Sequence, residues 1–293
     1  MAANIPIGGS ITAMEVPCAS CCEKPKSNNK GIITIAPPTP TTPLSIPAKR
    51  PIKSRKRIVI KLIQLILYKY KELISLHNII IMKIKTFTFN QFQENTFVIS
   101  DNTSDCIIID PGCYLQEEKN ELENYIIENK LKPIYLINTH CHIDHILGNN
   151  FISKRWGLDL TANKKDLDLL KNSQEIAKMY GFVNFEPSPL PKKFLDEGDI
   201  IKFGNSELYI LFTPGHAPGH ISLYSKKYDF VLSGDVLFKY SIGRTDLPGG
   251  DFNVLINSIK NKLFTLDNET IVYCGHGPST TIGEEKKYNP FLT

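Results

Sequence analysis

The chemistry this chain can do is concentrated in a few short stretches. Thr139-His140-Cys141-His142-Ile143-Asp144-His145 holds three imidazoles and a carboxylate within six residues. Imidazole nitrogens and carboxylate oxygens are donors that zinc, iron and manganese accept. Four donors so close along a chain cannot all face one ion. They can serve two ions side by side, with His140 and His142 projecting one way from an extended turn and Asp144 and His145 the other. More donors follow in Thr213-Pro214-Gly215-His216-Ala217-Pro218-Gly219-His220, in Ser233-Gly234-Asp235 and in Cys274-Gly275-His276-Gly277-Pro278. One buried histidine alone is usually a hydrogen-bonded core residue. Four loops of matching donor type, each following an apolar run, are not independent accidents, and they point to a catalytic metal centre open to substrate.

Rigid elements must present these loops. From Met82 onward, Lys83–Phe89 and Thr96–Ser100 alternate as strands. Cys106–Asp110 is a buried strand stopped by Pro111-Gly112, and Pro133–Asn138 leads into the first donor loop. Further strands are expected at Ile200–Phe203, Glu207–Phe212, His220–Tyr224, Phe230–Leu232 and Thr270–Tyr273. Helices are expected at Leu115–Asn129, His145–Arg155, Asn163–Tyr180 and Phe252–Phe264. Strands and helices mixed over about 210 residues, without repeats, predict one α/β or α+β domain.

The front of the chain differs. The net charge of +4 divides into +9 for residues 1–81 and −5 for residues 82–293. An acidic body argues against nucleic acid as a partner, because phosphate contacts need Lys and Arg. Six prolines lie between Pro37 and Pro51, a composition that predicts disorder. A basic cluster at 49–57 precedes 58–81, whose polar residues recur at roughly helical spacing. Residues 1–81 read as an extension that is not part of the working protein, which would then start at Met82, as a basic amphipathic anchor on an anionic membrane, or as a targeting segment. Membrane contact is expected only if 49–81 is native. Cys18-x-x-Cys21-Cys22 has no second Cys/His pair nearby to complete a zinc site. Seven scattered cysteines suggest reduced thiols and a cytoplasmic compartment. No run reaches the ~20 apolar residues of a membrane span.

The order His140-x-His142-x-Asp144-His145, His216, Asp235, His276 resembles the metallo-β-lactamase fold hydrolases, over Met82–Thr293 and none of residues 1–81. The resemblance implies a four-layer αβ/βα sandwich with two metals at one edge. His140, His142 and His216 would hold the first metal. Asp144, His145 and His276 would hold the second, with Asp235 bridging and Asp144 and Asp235 as the catalytic carboxylates. His220 matches no ligand position and is expected to support its loop; Cys141 is expected to pack away from the metals. Gly234-Asp235-Val236-Leu237-Phe238 and Ser241-Ile242-Gly243-Arg244-Thr245-Asp246, with the tail after Gly275, are similar to compact glyoxalase II-like thioesterases. The C-terminal helical domain of full-length glyoxalase II is not expected, with 17 residues following His276 in this sequence. The reading is a hydrolase with two zinc ions, or iron or manganese, cleaving a small thioester or ester by attack of a hydroxide shared between the metals. Arg244 is expected at the substrate's acidic end. Two alternatives share the fold: a mononuclear iron persulfide dioxygenase using His140, His216 and Asp235, and a lactonase or β-lactamase-like hydrolase.

Overall fold

The computed structural model describes residues 59–69 and 82–293. Residues 59–69 are helical and exposed, inside the stretch for which the sequence suggests an amphipathic helix. The proline-rich segment, the Cys18 cluster and the rest of 1–81 lie outside the described residues. No described helix is long and apolar enough to cross a membrane.

Two six-stranded sheets build the body. The first runs β1 (Lys83–Phe89), β2 (Glu94–Ser100), β3 (Asp105–Ile109), β4 (Lys132–Ile137), β5 (Leu160–Ala162) and β6 (Lys193–Phe194), in that spatial order. Its first three strands are antiparallel and the rest parallel. The second contains β7 (Ile200–Phe203), β8 (Ser206–Phe212), β9 (Ile221–Ser225), β10 (Phe230–Gly234), β13 (Ile271–Cys274) and β14 (Thr280–Thr281). Its spatial order is β14-β13-β10-β9-β8-β7, with only β10 and β13 parallel. A small ribbon pairs β11 (Leu237–Phe238) with β12 (Ser241–Ile242).

Strand alternation sorts the apolar side chains into layers. Phe97, Ile99, Ile107, Ile109 and Ile137 of the first sheet pack with Phe203, Leu208, Ile210, Leu223 and Leu232 of the second. Val98, Ile108, Leu136 and Leu160 turn to the opposite face, where Leu122 and Ile126 of α1 (Gln116–Glu128) cover them with Ile146 and Ile152. Those two belong to α2 (Ile143–Ile146) and α3 (Asn149–Trp156). On the outer face of the second sheet, Val231 and Val272 meet Leu255 and Ile259 of α6 (Phe252–Asn261) and Ile282 of α7 (Ile282–Tyr288). The result is helices, sheet, sheet, helices. Ile107-Ile108-Ile109 is continuously apolar because both faces of its strand are covered.

Three expected helices are broken. His145–Arg155 divides into α2 and α3, because the Gly148 amide bonds to Pro111 O at 2.7 Å and pulls the chain out of register. Asn163–Tyr180 becomes a 3₁₀ turn (Lys164–Asp166) followed by α4 (Leu167–Lys171) and α5 (Ser173–Met179). Its first turn is set by the Asn163 side chain, which accepts from Lys165 N at 2.9 Å. Phe252–Phe264 ends as a helix at Asn261 and continues as a 3₁₀ turn. The sequence reading has no α7, although Thr281-x-x-Glu284 is a capping pattern, and Thr281 Oγ1 accepts from Glu284 N at 3.2 Å.

Candidate metal centre

The donor loops leave the ends of β4, β8, β10 and β13 and meet where both sheets finish. Main-chain bonds stitch them together: Ile221 N to Thr139 O at 2.8 Å, Gly275 N to Gly234 O at 2.9 Å, and Asn95 N to Gly275 O at 2.7 Å. Gly234 is required at its corner. Its φ is +50°, and a Cβ there would come 2.5 Å from His220 Nε2.

Two donor sets result. One donor atom from each of His140, His142 and His216 lies within 4.8 Å of the others, and the same holds for Asp144, His145 and His276. Asp235 touches both sets. Its Oδ2 is 3.4 Å from His216 Nε2 and 3.4 Å from His276 Nε2, and its Oδ1 is 3.4 Å from His145 Nε2. His276 Nε2 and Asp144 Oδ2 are 3.1 Å apart. Two donors each about 2.0–2.1 Å from one tetrahedral ion lie roughly 3.3 Å from each other. The observed spacings fit such ions.

Hydrogen bonds on the far side of the rings select which nitrogen points inward. His216 Nδ1 donates to Arg244 O at 2.7 Å, and His276 Nδ1 donates to Phe92 O at 3.0 Å. Both Nε2 atoms are left facing Asp235. His140 Nδ1 lies 3.1 Å from Thr139 Oγ1, whose own proton goes to Asp110 Oδ2 at 2.6 Å. His140 Nε2 is therefore bare. It is buried without a hydrogen-bond partner, as are His145 Nε2 and Asp235 Oδ1, which lie 3.4 Å apart. Buried polar atoms are nearly always satisfied, so three orphans in one spot fit a cation site.

The charges agree. Burial holds the His140 ring well below the ordinary histidine value and the His142 ring at about 3, and it lowers His216 as well. These three are neutral and ready to ligate. In the other set burial opposes protonation, but the carboxylates of Asp144 and Asp235 raise His145 well above its ordinary value. Hydrogen bonds to the same two carboxylates raise His276 to about 10. Asp110 and Glu94 sit behind His145, at 3.2 and 3.7 Å from its Nδ1. Burial pushes Glu94 well up, against the pull of His145. Among the described residues no Lys or Arg ion-pairs with Glu94, Asp110, Asp144 or Asp235. Protons on His145 and His276 supply the positive charge that Asp144 and Asp235 call for here, and divalent cations would take their place.

A family model described as the metallo-beta-lactamase superfamily matches residues 89–276. The chain belongs to that superfamily, a family of metal-dependent hydrolases. It is 38% identical over 212 residues to hydroxyacylglutathione hydrolase GloC of Haemophilus influenzae, covering 72% of this chain and 98% of that protein. The crystal structure of the BLEG-1 B3 metallo-beta-lactamase superposes with a TM-score of 0.67 at 32% identity, covering 72% of this chain and all of that one. A crystal structure of TTHA1623 in a di-iron-bound form gives 0.64 at 35% identity, covering 71% and 100%. The layered sandwich is thus the metallo-beta-lactamase fold.

Within this superfamily site the remaining residues take the following places. The Arg244 side chain is exposed and doubly bonded to Asp246 at 2.7 and 2.6 Å, while its carbonyl orients His216. Cys141 is buried in the helix-side core and belongs to neither donor set. His220 is fully buried, and its Nε2 accepts the Asp235 amide proton at 3.0 Å. His140 and His145 do not point apart, as an extended turn would have it: α2 begins at Ile143, and the two ring centroids lie 4.2 Å apart. Asp110 forms a third possible group with His140 and His145, but its carboxylate already accepts Thr139 N and Oγ1. Sequence reasoning missed Asp110, Glu94 and the Phe92 carbonyl. Only Asp110 carried a signal, as an aspartate closing a strand before Pro111-Gly112.

Proposed function

We propose that this chain is a two-metal hydrolase that cleaves a small thioester, of the hydroxyacyl-thiol kind. The observation that carries the reading is Asp235, whose Oδ2 lies 3.4 Å from a donor of each set, His216 and His276, while its Oδ1 lies 3.4 Å from His145. The similarity to a hydroxyacylglutathione hydrolase over nearly that protein's full length supports the substrate class. His140, His142 and His216 would hold one ion, and Asp144, His145 and His276 the other. Bound there, two dications supply Lewis acidity to a carbonyl and lower the pKa of water towards neutrality. Asp235 fixes the spacing of the two sets and accepts a hydrogen bond from the attacking water, while Asp144 holds His276 towards it. Arg244, at the end of the chain segment that orients His216, exchanges Asp246 for the anionic end of the substrate.

A cysteine nucleophile does not compete. The four described cysteines are buried, and burial pushes Cys141 well up and Cys106 and Cys274 to about 12. A thiolate is the reactive form, and none of these provides it at neutral pH. Free thiols suit a cytoplasmic enzyme, and the net charge of −5 over residues 82–293 suits a small-molecule substrate rather than nucleic acid.

Zinc suits five histidines and two aspartates, but a relative in di-iron form gives iron standing as a second reading. Metal content per chain and a thioester screen beginning with S-lactoylglutathione test both. About two zinc per chain with thioester turnover supports the proposal. About one iron with oxygen uptake on a persulfide would replace it with an oxidation. Turnover of lactones or β-lactams without thioester cleavage would replace the substrate class alone.

A further inference from the structure

One buried carboxylate close to the site has no role in the scheme above. Asp166 closes the 3₁₀ turn Lys164–Asp166 and is fully buried. Its Oδ2 accepts from Cys141 N at 2.9 Å, and its Oδ1 accepts from Gly219 N at 2.5 Å. Cys141 lies between His140 and His142; Gly219 lies three residues after His216 and next to His220. One carboxylate therefore bonds to both loops that carry the first donor set.

We propose that Asp166 is a positioning residue for the first metal, a clamp that sets the separation of His140 and His142 from His216; this rests on the two-metal reading. The two loops also meet at Ile221 N and Thr139 O, 2.8 Å apart. With one link alone the loops can hinge; the carboxylate adds a second and fixes their angle. The separation it governs is short, since His142 Nδ1 and His216 Nε2 stand 2.8 Å apart. The site is built around the carboxylate. A Cβ on Gly219 would fall 2.6 Å from Asp166 Oδ1 and 2.8 Å from its amide nitrogen, so only glycine admits the bond. Burial raises this carboxyl to about 6, with the two amide bonds pulling the other way, so ionised Asp166 is a costly tether. Asparagine is of equal size and would avoid that cost, but it has one acceptor and would lose one loop.

The test uses the full chain in a His276→Ala background, which leaves only the first set intact, titrated metal-free with Co²⁺. Visible absorption reports ligand geometry, and chelator competition reports affinity. Asp166→Asn is expected to weaken Co²⁺ about 10–100-fold and to change the absorption bands. A purely structural role would lower the thermal midpoint of the metal-free protein and leave both readouts unchanged. Gly219→Ala keeps the carboxylate but displaces it, and is expected to weaken Co²⁺ in the same way; it carries the comparison if Asp166→Asn does not fold. Unaltered Co²⁺ affinity and spectrum in either folded variant overturns the proposal. A wild-type chain that binds no Co²⁺ at all would remove the two-metal reading instead.

Discussion

The amide of Asp235 donates to Nε2 of His220 at 3.0 Å, so a histidine outside both donor sets fixes the backbone of the residue shared between them. Accepting that bond puts the His220 proton on Nδ1, which faces Thr213 Oγ1 at 3.1 Å. Burial, with neighbouring His216, keeps the ring neutral and preserves that tautomer. His220→Ala would leave a buried amide unpaired, at about 1–3 kcal/mol. The expected outcome is a lower thermal midpoint together with a 10–100-fold loss of metal affinity, the range for residues that orient ligands. Chelator competition that matches wild type would show that Asp235 does not need this support.

The two donor sets are separable by substitution. His142→Ala is expected to leave about one metal per chain, and His276→Ala the same, each removing a donor from one set only. Asp235→Asn, which keeps size but halves the acceptor capacity facing both sets, is expected to weaken both metals. Its loss in kcat/KM should exceed the roughly 100-fold seen for residues that act only through a ligand. Elemental analysis of the three purified variants checks the pattern. Equal loss of both metals in all three would mean a single merged site.

Asp110 combines strain with function. Its φ is +49°, a left-handed conformation that costs a non-glycine residue energy. In that pose its carboxylate accepts Thr139 N at 2.7 Å and Thr139 Oγ1 at 2.6 Å and stands 3.2 Å from His145 Nδ1. Asparagine tolerates the same conformation, so Asp110→Asn removes the charge and one acceptor without adding backbone strain. The second metal is expected to bind about 10–100-fold more weakly. Metal titration in the His142→Ala background, which retains only the second set, measures this directly.

Much of this is legible in the sequence, and the reason is local. Ile107-Ile108-Ile109, the alternation of Lys83–Phe89 and the donors at the ends of apolar runs each follow from neighbours in sequence. What escaped reading depends on distant chain segments. β5 and β6 have three and two residues, too few to show a period, and exist because β4 offers a parallel edge to β5 and β5 one to β6. The break at Gly148 is made by a carbonyl on Pro111. Glu94 is one more polar residue in β2 until the fold sets it 3.7 Å from His145. Gly219 looks like any loop glycine until Asp166 is found against it.

Metal loading should depend on pH in one set and not in the other. His276 carries a proton up to about pH 10, because its bonds to Asp144 and Asp235 outweigh its burial, and His145 is raised in the same sense. A dication entering the second set must displace those protons. Raising the pH removes the competitor, so affinity there should climb from neutrality towards pH 10, by about tenfold per unit for each proton released. The first set differs in sign of shift. His140, His142 and His216 are all held below the ordinary histidine value, His142 at about 3, and have no proton to lose above neutrality. Calorimetric titration with zinc at pH 6.5 to 9 should give a steep slope for the His142→Ala chain and a shallow one for His276→Ala. Titrations in buffers of different ionisation heat should show proton release only in the former. Equal slopes would mean that the carboxylates do not hold His145 and His276 in their protonated forms.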